Sequence, residues 1–492
     1  MNRRTFLGKA GGALGVAATG STAWLTACDA SSEPLGPSAF EPGTGVPLPV
    51  PGTAQTEGRI LRATPASTHG GSGAGIGSLA FNGYIPGPTL RARGGDRFRV
   101  TLENGLAEKT ILHWHGLDVP ALADGHPRLA VGPGGSYAYD FTVRNRPGTY
   151  WYHPHPHGRT GPQVYGGLAG FLIVDETPDR SPLLPSGDRE LLLLLQDKRL
   201  GAGGTPVYQP SASDRMTGFM GDVGFVNGAP LPFALVERGS YRLRILNGSN
   251  ARVFDLAMSD NQPFVLVGTD GGLMDAPREL TAIFLGPGER VDVVVDFSGS
   301  PAGSTIRLHS RPFQLAGGMG MGMGMGMGSP GDQGRPMDLM EFRVRDTPAV
   351  PTPAFGGFEP LGALPSLAGA RTRTFSFSSM MGLHAINGRS FEMDRVDVRI
   401  PLGAPERWRF VNQSPMPHPV HVHGGHFRVL SRSGGRNWIL PWERGYKDTV
   451  LLLAGETVEV AVLFEEHRGL FLLHCHNLEH EDAGMMANFE VV

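Results

Sequence analysis

The sequence is poor in cysteine, with only Cys28 and Cys475 among its 492 residues. So few cysteines exclude a disulfide framework as the source of its stability. It also lacks an excess of charge: 43 lysines and arginines stand against 46 aspartates and glutamates, the net charge is −3, and no basic block is present. Nucleic-acid binding therefore has no electrostatic support.

Long apolar runs are missing as well. The apolar stretch near the N-terminus is short and consists mostly of alanine and glycine, so it does not predict a transmembrane helix. Apolar residues make up 40% and charged residues 18%, as in soluble globular proteins. Glycine and proline are abundant instead, at 72 and 41 residues, which favours short strands joined by turns over long helices. The length suggests about three domains.

Residues 1–28 have the features of an export signal. Arg3 and Arg4 precede an apolar pair and resemble the twin-arginine motif. Residues 25–28 (LTAC) resemble a lipobox, in which Cys28 would carry a lipid anchor; the alternative is an ordinary cleaved signal with an incidental cysteine. Residues 29–49 are rich in Ser, Pro and Gly and are predicted to be a linker. We expect export to a periplasmic or otherwise extracytoplasmic, membrane-anchored location.

Two sequence patterns occur three times in the same order. The first alternates apolar and polar residues and ends on asparagine, at 96–104, 240–247 and 406–412. The second is a glycine turn followed by another alternating segment, beginning at Pro133, Pro287 and Ala454. Alternation with period two is typical of half-buried strands, and asparagine favours turns. The repeats predict an all-β protein of three similar domains, spanning 50–176, 177–346 and 347–492.

Ten of the 17 histidines fall into four clusters, which are His113-Trp-His115, His153-Pro-His155, His418-Pro-Val-His421-Val-His423 and His474-Cys475-His476 with His480 beyond. A lone histidine is usually a surface or core residue, but i and i+2 side chains of a strand share one face. Each His-x-His pair therefore presents two imidazoles side by side. Eight such imidazoles exceed the four ligands of a zinc ion and suit a cluster of several metal ions.

The last cluster carries two kinds of ligand. Strand alternation sends His474 and His476 to one face and Cys475 to the other. Cys475 is followed by His480 and Met485 at Cys-x4-His-x4-Met spacing, and His418 arrives from an earlier strand. A cysteine thiolate, two histidines and a weak axial methionine form a blue-copper electron-transfer site. The tripeptide would thus join two metal sites.

On these motifs the chain resembles the three-domain multicopper oxidases, including bacterial laccases and cuprous oxidases. The resemblance covers nearly all of the mature chain and implies three consecutive cupredoxin-like Greek-key β-barrel or sandwich domains, with four copper ions. It implies a type 1 copper on His418, Cys475 and His480 with Met485 axial, and a type 2 copper on His113 and His421. The type 3 pair would be bound by His115, His153, His155, His423, His474 and His476. The second domain has no His-x-His pair and should be copper-free, and His157 lies outside the family pattern.

The resemblance also implies a reaction, in which four one-electron oxidations are coupled to the reduction of O2 to water. Reduction of O2 requires protons, and Asp124 and Glu481 match positions that family members use for proton supply. Either could instead be a structural carboxylate, and Glu479 and Asp482 are nearby competitors. An axial Met485 predicts a lower type 1 potential than in relatives with leucine or phenylalanine there.

Residues 317–328 alternate methionine with glycine, and their thioethers are Met319, Met321, Met323, Met325 and Met327. Soft thioethers favour Cu(I), so the tract could collect a Cu(I) substrate; alternatively it is a low-complexity linker. Cuprous oxidases carry such inserts later in the chain, and they place an acid and a methionine just before the first type 1 histidine. Here Met416 is present, but Ser414 occupies the position of the acid.

The sequence therefore predicts an oxidase of small phenols or amines, of Cu(I), or of both, with O2 as acceptor. A non-enzymatic alternative is an exported lipoprotein that sequesters copper. Copper nitrite reductase shares the domain type but lacks the second type 3 site, so four complete His-x-His pairs argue against it. A degenerate copper-free relative is excluded because no ligand is missing.

Overall fold

A computed structural model describes residues 45–66, 78–177, 184–315, 333–351, 355–380 and 383–492. The predicted signal sequence, Cys28, most of the linker and the five methionines of the Met/Gly tract lie outside these residues. Within the described part, strands account for 47% of the chain and helices for 7%, which confirms the all-β prediction. None of the helices in this part has the length and apolar character needed to cross a membrane.

The strands of the N-terminal third are β1 (Thr53–Gln55), β2 (Glu57–Pro65), β3 (Leu79–Phe81), β4 (Gly87–Arg93), β5 (Arg97–Asn104), β6 (Leu112–His115), β7 (Ser136–Thr142), β8 (Gly148–Pro154) and β9 (Gly170–Asp175). Helix α1 (Thr160–Gly166) lies between β8 and β9, and a 3-10 turn covers Pro127–Leu129. These strands form one sheet in the order β1-β4-β9-β8-β6 and another in the order β3-β2-β5-β7.

The strands of the middle third are β10 (Glu190–Lys198), β11 (Val223–Val226), β12 (Ala229–Pro230), β13 (Phe233–Val236), β14 (Ser240–Asn247), β15 (Phe254–Met258), β16 (Phe264–Thr269), β17 (Gly272–Leu280), β18 (Ile283–Leu285), β19 (Arg290–Asp296), β20 (Thr305–Ser310) and β21 (Met337–Val344). Helix α2 (Ala212–Thr217) follows β10, and 3-10 turns cover Gly187–Arg189 and Ala202–Gly204. The sheet orders are β12-β11-β10-β14-β19-β16-β17 and β13-β21-β20-β15-β18.

The strands of the C-terminal third are β22 (Arg371–Met380), β23 (Leu383–Ile386), β24 (Val398–Ile400), β25 (Glu406–Asn412), β26 (His418–Val422), β27 (Phe427–Ser433), β28 (Thr449–Leu452), β29 (Thr457–Val462), β30 (Gly469–Cys475) and β31 (Met486–Val491). Helix α3 (Leu478–Asp482) lies between β30 and β31, and a 3-10 turn covers Pro441–Glu443. The sheet orders are β23-β22-β25-β29-β27 and β24-β31-β30-β26-β28.

The repeated sequence patterns occupy equivalent places in the three thirds. The first pattern forms β5, β14 and β25, and the second forms β7, β19 and β29. Within each third the two strands pair antiparallel, and the first also pairs parallel with β2, β10 or β22. The terminal asparagine closes the same turn each time: the side-chain oxygens of Asn104, Asn247 and Asn412 accept from the amide two residues ahead at 2.9, 3.1 and 2.8 Å.

Each third encloses a core of buried apolar side chains, and the cores interlock. The core of the middle third also contains Leu440 and Trp442, and the core of the C-terminal third contains Ala121. Buried apolar side chains thus cross the predicted boundaries and fix the thirds against one another, which positions the histidines described next. The boundaries themselves, at 176/177 and 346/347, stay predictions.

Candidate metal centres

Strand register brings the histidines of the first and last thirds together. In the pairing of β6 with β8, His113 lies opposite His153. In the pairing of β26 with β30, His421 lies opposite His474. The second member of each His-x-His pair lies on the same face or just beyond the strand end, so eight imidazoles gather in one place. None of these side chains is more than 1% exposed.

Backbone carbonyls determine the tautomer of two of the imidazoles. His113 Nδ1 donates to the carbonyl of Asp124 at 2.6 Å, and His421 Nδ1 donates to the carbonyl of Asp448 at 2.9 Å. Burial and neighbouring imidazoles lower the pKa of both rings, so they are neutral and each Nε2 carries a lone pair. These two Nε2 atoms face each other at 3.2 Å. Two lone pairs at this distance repel unless a cation lies beside them, so the pair fits a metal.

The other rings repeat this arrangement. His474 Nδ1 and His153 Nδ1 donate to the carbonyls of Cys475 and Pro154 at 3.1 and 2.9 Å, which leaves both Nε2 atoms free. His474 Nε2 lies 3.0 Å from His423 Nε2 and 3.3 Å from His155 Nε2. His153 Nε2 lies 3.4 Å from His115 Nδ1.

Both imidazole nitrogens of His476 and Nδ1 of His155 are buried, and they have no hydrogen-bond partner among the described residues. Buried polar atoms are normally paired. Donor atoms come within 4.8 Å of one another in the triplets His113–His421–His423, His113–His115–His153, His155–His423–His474 and His115–His421–Asp448. The number of closely spaced imidazoles therefore fits a cluster of several metal ions.

A separate group of donors lies on the other face of β30. His418 Nδ1 lies 3.3 Å from Cys475 Sγ, and His480 Nδ1 lies 3.7 Å from the same sulfur and 3.3 Å from His418 Nδ1. Met485 is fully buried, and its carbonyl accepts from the amide of Cys475 at 3.1 Å. Burial raises the pKa of the Cys475 thiol, so a thiolate there requires a bound cation.

The C-terminal carbonyls of α2 cover this second group. The last carbonyls of a helix have no partner within it. Here those of Arg215 and Met216 accept from His384 Nε2 and His480 Nε2, both at 3.0 Å. The imidazole of His384 stacks on that of His480 with ring centroids 4.3 Å apart. The middle third thus contributes backbone to a site whose side chains come from the last third.

Ser414 replaces the acid that the resemblance would place near the first histidine of this group. Its Oγ lies 2.6 Å from His418 Nε2, so the hydroxyl covers the edge of the imidazole that faces away from Cys475. Met416 is half-buried two residues further on, and its carbonyl accepts from Asn412 Nδ2 at 2.7 Å. His157 is exposed and packs against Phe391 at 5.2 Å.

The two acids predicted for proton supply both lie against the imidazole cluster. Asp124 Oδ2 lies 2.7 Å from His423 Nδ1, and burial raises the pKa of this carboxyl well above its usual range. Glu481 lies 3.2 Å from His474 Nδ1 and 3.5 Å from His155 Nε2. Burial alone would raise the pKa of Glu481, but the two imidazoles lower it below its ordinary value.

The competing acids of α3 have structural partners instead. Glu479 accepts from the Tyr208 hydroxyl at 2.9 Å, the Asn250 amide at 2.7 Å and the Phe219 amide at 2.8 Å. Asp482 accepts from the first two amides of α1 at 2.8 and 2.9 Å. Glu481 is therefore the acid of this helix that contacts the imidazole cluster.

Sequence reasoning missed a buried ion pair beside the cluster. Asp448 Oδ1 accepts from His115 Nε2 at 3.0 Å, and the carboxylate forms a bidentate pair with Arg290 at 2.7 and 2.6 Å. Gly116 makes room for this pair: its φ is +89°, and a Cβ there would lie 2.5 Å from Asp448 Oδ2. A single aspartate and a single arginine, far apart in the chain, offer no spacing from which the pair could have been found.

Comparisons with known proteins agree with this geometry. Three family profiles described as multicopper oxidase match residues 70–179, 199–312 and 363–492. The chain is 31% identical to multicopper oxidase mco of Staphylococcus aureus over 88% of both chains. It is 35% identical to cell division protein FtsP of Dickeya dadantii over 83% of this chain and 84% of that protein.

A solved structure is equally similar. The laccase of Pediococcus acidilactici is 31% identical, superimposes with a TM-score of 0.80, and is matched over 92% of this chain and 94% of its own. This similarity confirms the cupredoxin-like fold predicted from the sequence. The chain belongs to the multicopper oxidase family, whose members are copper-dependent oxidoreductases with O2 as acceptor.

Proposed function

We propose that this oxidase holds four copper ions and reduces O2 to water with electrons from small phenols or amines, and from Cu(I). The type 1 ion would be held by His418, Cys475, His480 and Met485, and the type 2 ion by His113 and His421. The type 3 pair would be held by His115, His153, His155, His423, His474 and His476. The single observation that carries the proposal is the facing of unprotonated imidazole nitrogens, at 3.2 Å between His113 and His421.

Copper, when bound, supplies the one-electron redox chemistry that protein side chains lack. The chain supplies geometry. The tautomers of His113, His421 and His474 are fixed by backbone carbonyls, so their coordinating nitrogens are oriented before a metal arrives. The sequence His474-Cys475-His476 connects the two groups of donors through consecutive residues.

Asp124 and Glu481 are proposed to deliver the protons that O2 reduction consumes. Both lie within 3.5 Å of imidazole nitrogens of the cluster and are shielded from bulk water. Their placement on two sides of the cluster, against His423 and against His474, suits separate proton-supply points.

The nature of the reductant depends on what reaches His480. Its Nε2 donates to the Met216 carbonyl at the end of α2, and the His480 side chain is fully buried. We propose that a phenol or amine transfers its electron across this backbone layer. The five methionines of the Met/Gly tract, together with Met416, are proposed to bind Cu(I) as a substrate.

We further propose that residues 1–28 direct twin-arginine export to the periplasm or another extracytoplasmic compartment, with a lipid anchor at Cys28. Radiolabelled palmitate should be incorporated into the exported protein and not into a Cys28→Ala variant. The double substitution Arg3→Lys and Arg4→Lys should block export and retain the protein in the cytoplasm. Labelling of the Cys28→Ala variant would contradict the anchor.

The Cys475→Ser variant tests the ligand set. The copper-loaded protein should show the intense absorption of a copper thiolate, and the variant should lack it while keeping copper in the imidazole cluster. Persistence of the absorption in Cys475→Ser would refute the type 1 assignment.

Oxygen uptake separates oxidase from copper sequestration. Addition of a phenol or of Cu(I) should consume one O2 for every four electrons supplied. Copper binding without uptake would favour the sequestering lipoprotein. Removal of residues 317–328 should then lower the rate with Cu(I) and leave the rate with a phenol unchanged; equal rates for both would reduce the tract to a linker.

A further inference from the structure

A cavity that contains none of the proposed copper ligands lies where α1 meets β10. Its volume is about 490 Å³, within the range of small-molecule sites. Its wall includes the aromatic side chains of Tyr165, Tyr208 and Phe225. The rings of Tyr165 and Tyr208 are 5.1 Å apart. Lys198, the last residue of β10, also lines the cavity and is only 4% exposed.

The Lys198 side chain has no acidic partner within the described part of the chain. Its Nζ donates to the carbonyl of Tyr165 and lies 4.1 Å from the centroid of the Tyr165 ring. Among the described residues no carboxylate oxygen lies within 4.0 Å of Nζ. The adjacent Asp197 is paired with Arg252 at 2.8 Å and accepts from the Gly221 amide.

The other charged groups around the cavity have charged or hydrogen-bonding partners. Glu108 and Arg159 form an ion pair at 2.6 Å on the cavity wall. Arg199, which follows Lys198, pairs with Asp214. Glu479 accepts from the hydroxyl of Tyr208. Lys198 is therefore the one titratable group of the described cavity wall whose charge lacks a counter-ion.

A buried ammonium without a counter-ion is unfavourable, and such a group either loses its proton or acquires an anion. Burial lowers the pKa of Lys198 to about 7, and the attraction of Asp197 only partly opposes this. An ammonium has three donor hydrogens, of which the Tyr165 carbonyl takes one. Two donors remain for a ligand.

We propose that this cavity binds a small aromatic carboxylate, which pairs with the Lys198 ammonium and packs its ring against Tyr165 and Tyr208. The anion supplies the missing counter-ion, and the tyrosines supply apolar surface of matching shape. The site does not depend on the copper chemistry proposed above, so either can fail without the other.

Binding must be linked to a proton. Below pH 7 Lys198 is already charged and the ligand binds without proton uptake. Well above pH 7 each bound ligand fixes close to one proton on Lys198, and well below pH 7 it fixes almost none. Affinity should fall toward tenfold for each pH unit above 7.

Calorimetric titration of the copper-loaded enzyme with benzoate tests this. Benzoate has no phenolic hydroxyl and is not an electron donor, so turnover does not interfere. Titration to about 10 mM, in two buffers of different ionisation enthalpy, should show saturable binding with a proton uptake that rises between pH 6 and pH 9. Absence of saturable binding, or an uptake that stays constant between pH 6 and pH 9, overturns the proposal.

Two variants locate the site. Lys198→Met should weaken binding at least tenfold and abolish proton uptake, whereas Lys109→Met, at an exposed lysine outside the cavity wall, should change neither. Val207→Trp keeps Lys198 but fills the cavity, and should also abolish binding. Unchanged affinity in both Lys198→Met and Val207→Trp would place benzoate elsewhere and overturn the assignment.

Discussion

Arg290 offers the sharpest test of how the middle third of the chain supports the imidazole cluster. All five of its guanidinium donors have acceptors. Nε donates to the carbonyl of Thr149 at 3.1 Å, Nη1 to the carbonyl of Gly288 and to Asp448, and Nη2 to the carbonyl of Asp270 and again to Asp448. These acceptors come from all three thirds of the chain, and both Arg290 and Asp448 are 0% exposed.

Arg290→Met removes the guanidinium group with all these hydrogen bonds and leaves the Asp448 carboxylate buried without its cation. Breaking a buried pair by removing one partner costs about 3–5 kcal/mol. Arg307→Met is the matched control, because Arg307 belongs to the same third and pairs with Asp338 at 3.4 Å, with both side chains about 40% exposed. An exposed pair contributes about 0–1 kcal/mol. The free energies of unfolding of the metal-free proteins, from denaturant titration, should therefore differ by about 2 kcal/mol or more.

The same substitution should weaken copper binding. Asp448 accepts from His115 Nε2, and without Arg290 this carboxylate is no longer held in place. Loss of a group that orients a metal ligand typically lowers affinity by about 10–100-fold. Copper retained after dialysis against a graded series of chelator should fall in Arg290→Met and not in Arg307→Met. If both variants lost equal stability and equal copper, the buried pair of Arg290 with Asp448 would contribute no more to folding and metal binding than an exposed ion pair.

Further predictions concern the acids and the cap of the cysteine site. Glu481→Gln should slow reoxidation of the reduced enzyme by O2, because reoxidation consumes protons, and it should leave the rate of anaerobic reduction unchanged. Glu479→Gln should lower the stability of the protein and leave both rates unchanged. Equal kinetics in the two variants would contradict the proton-supply role of Glu481. His384→Leu removes the ring stacked on His480 and should shift the type 1 reduction potential, measured by redox titration, while the copper content is preserved. An unchanged potential would show that the stacking has no electronic effect. Asp214→Asn breaks the capping box of α2 and should raise hydrogen exchange of its amides by about tenfold, and unchanged protection would show that other contacts hold the helix.

The proposed cysteine and histidine ligands could be picked out from the sequence because the spacing that identifies them is a local pattern. Period-two spacing and strand alternation are properties of a few consecutive residues, so His474, Cys475 and His476 could be assigned to opposite faces without a fold. The all-β class and the threefold repeat followed from alternation and from the terminal asparagines, whose turns the structure shows three times.

The contacts that hold the ligands in place could not be predicted in this way. The pairing of Asp448 with Arg290 joins residues 158 apart, and no pattern connects them. The choice among Glu479, Glu481 and Asp482 depended on which side of a short helix faces the cluster. Helix α2 is too short to give a periodic signal, and its capping box between Ser211 and Asp214 became evident only in the structure. Its place above His480 depends on how two thirds of the chain pack.

The register of β26 against β30 has a consequence for misfolding. Val420 lies opposite Cys475 and His421 opposite His474. A slip by one residue would turn every side chain of a strand to the other face, so a sulfur would point into the imidazole cluster and an imidazole toward His418. Such a slipped sheet would bind copper at neither site. Because a metal stabilises only the conformation that binds it, copper binding would stabilise the native register of these two strands relative to registers shifted by one residue.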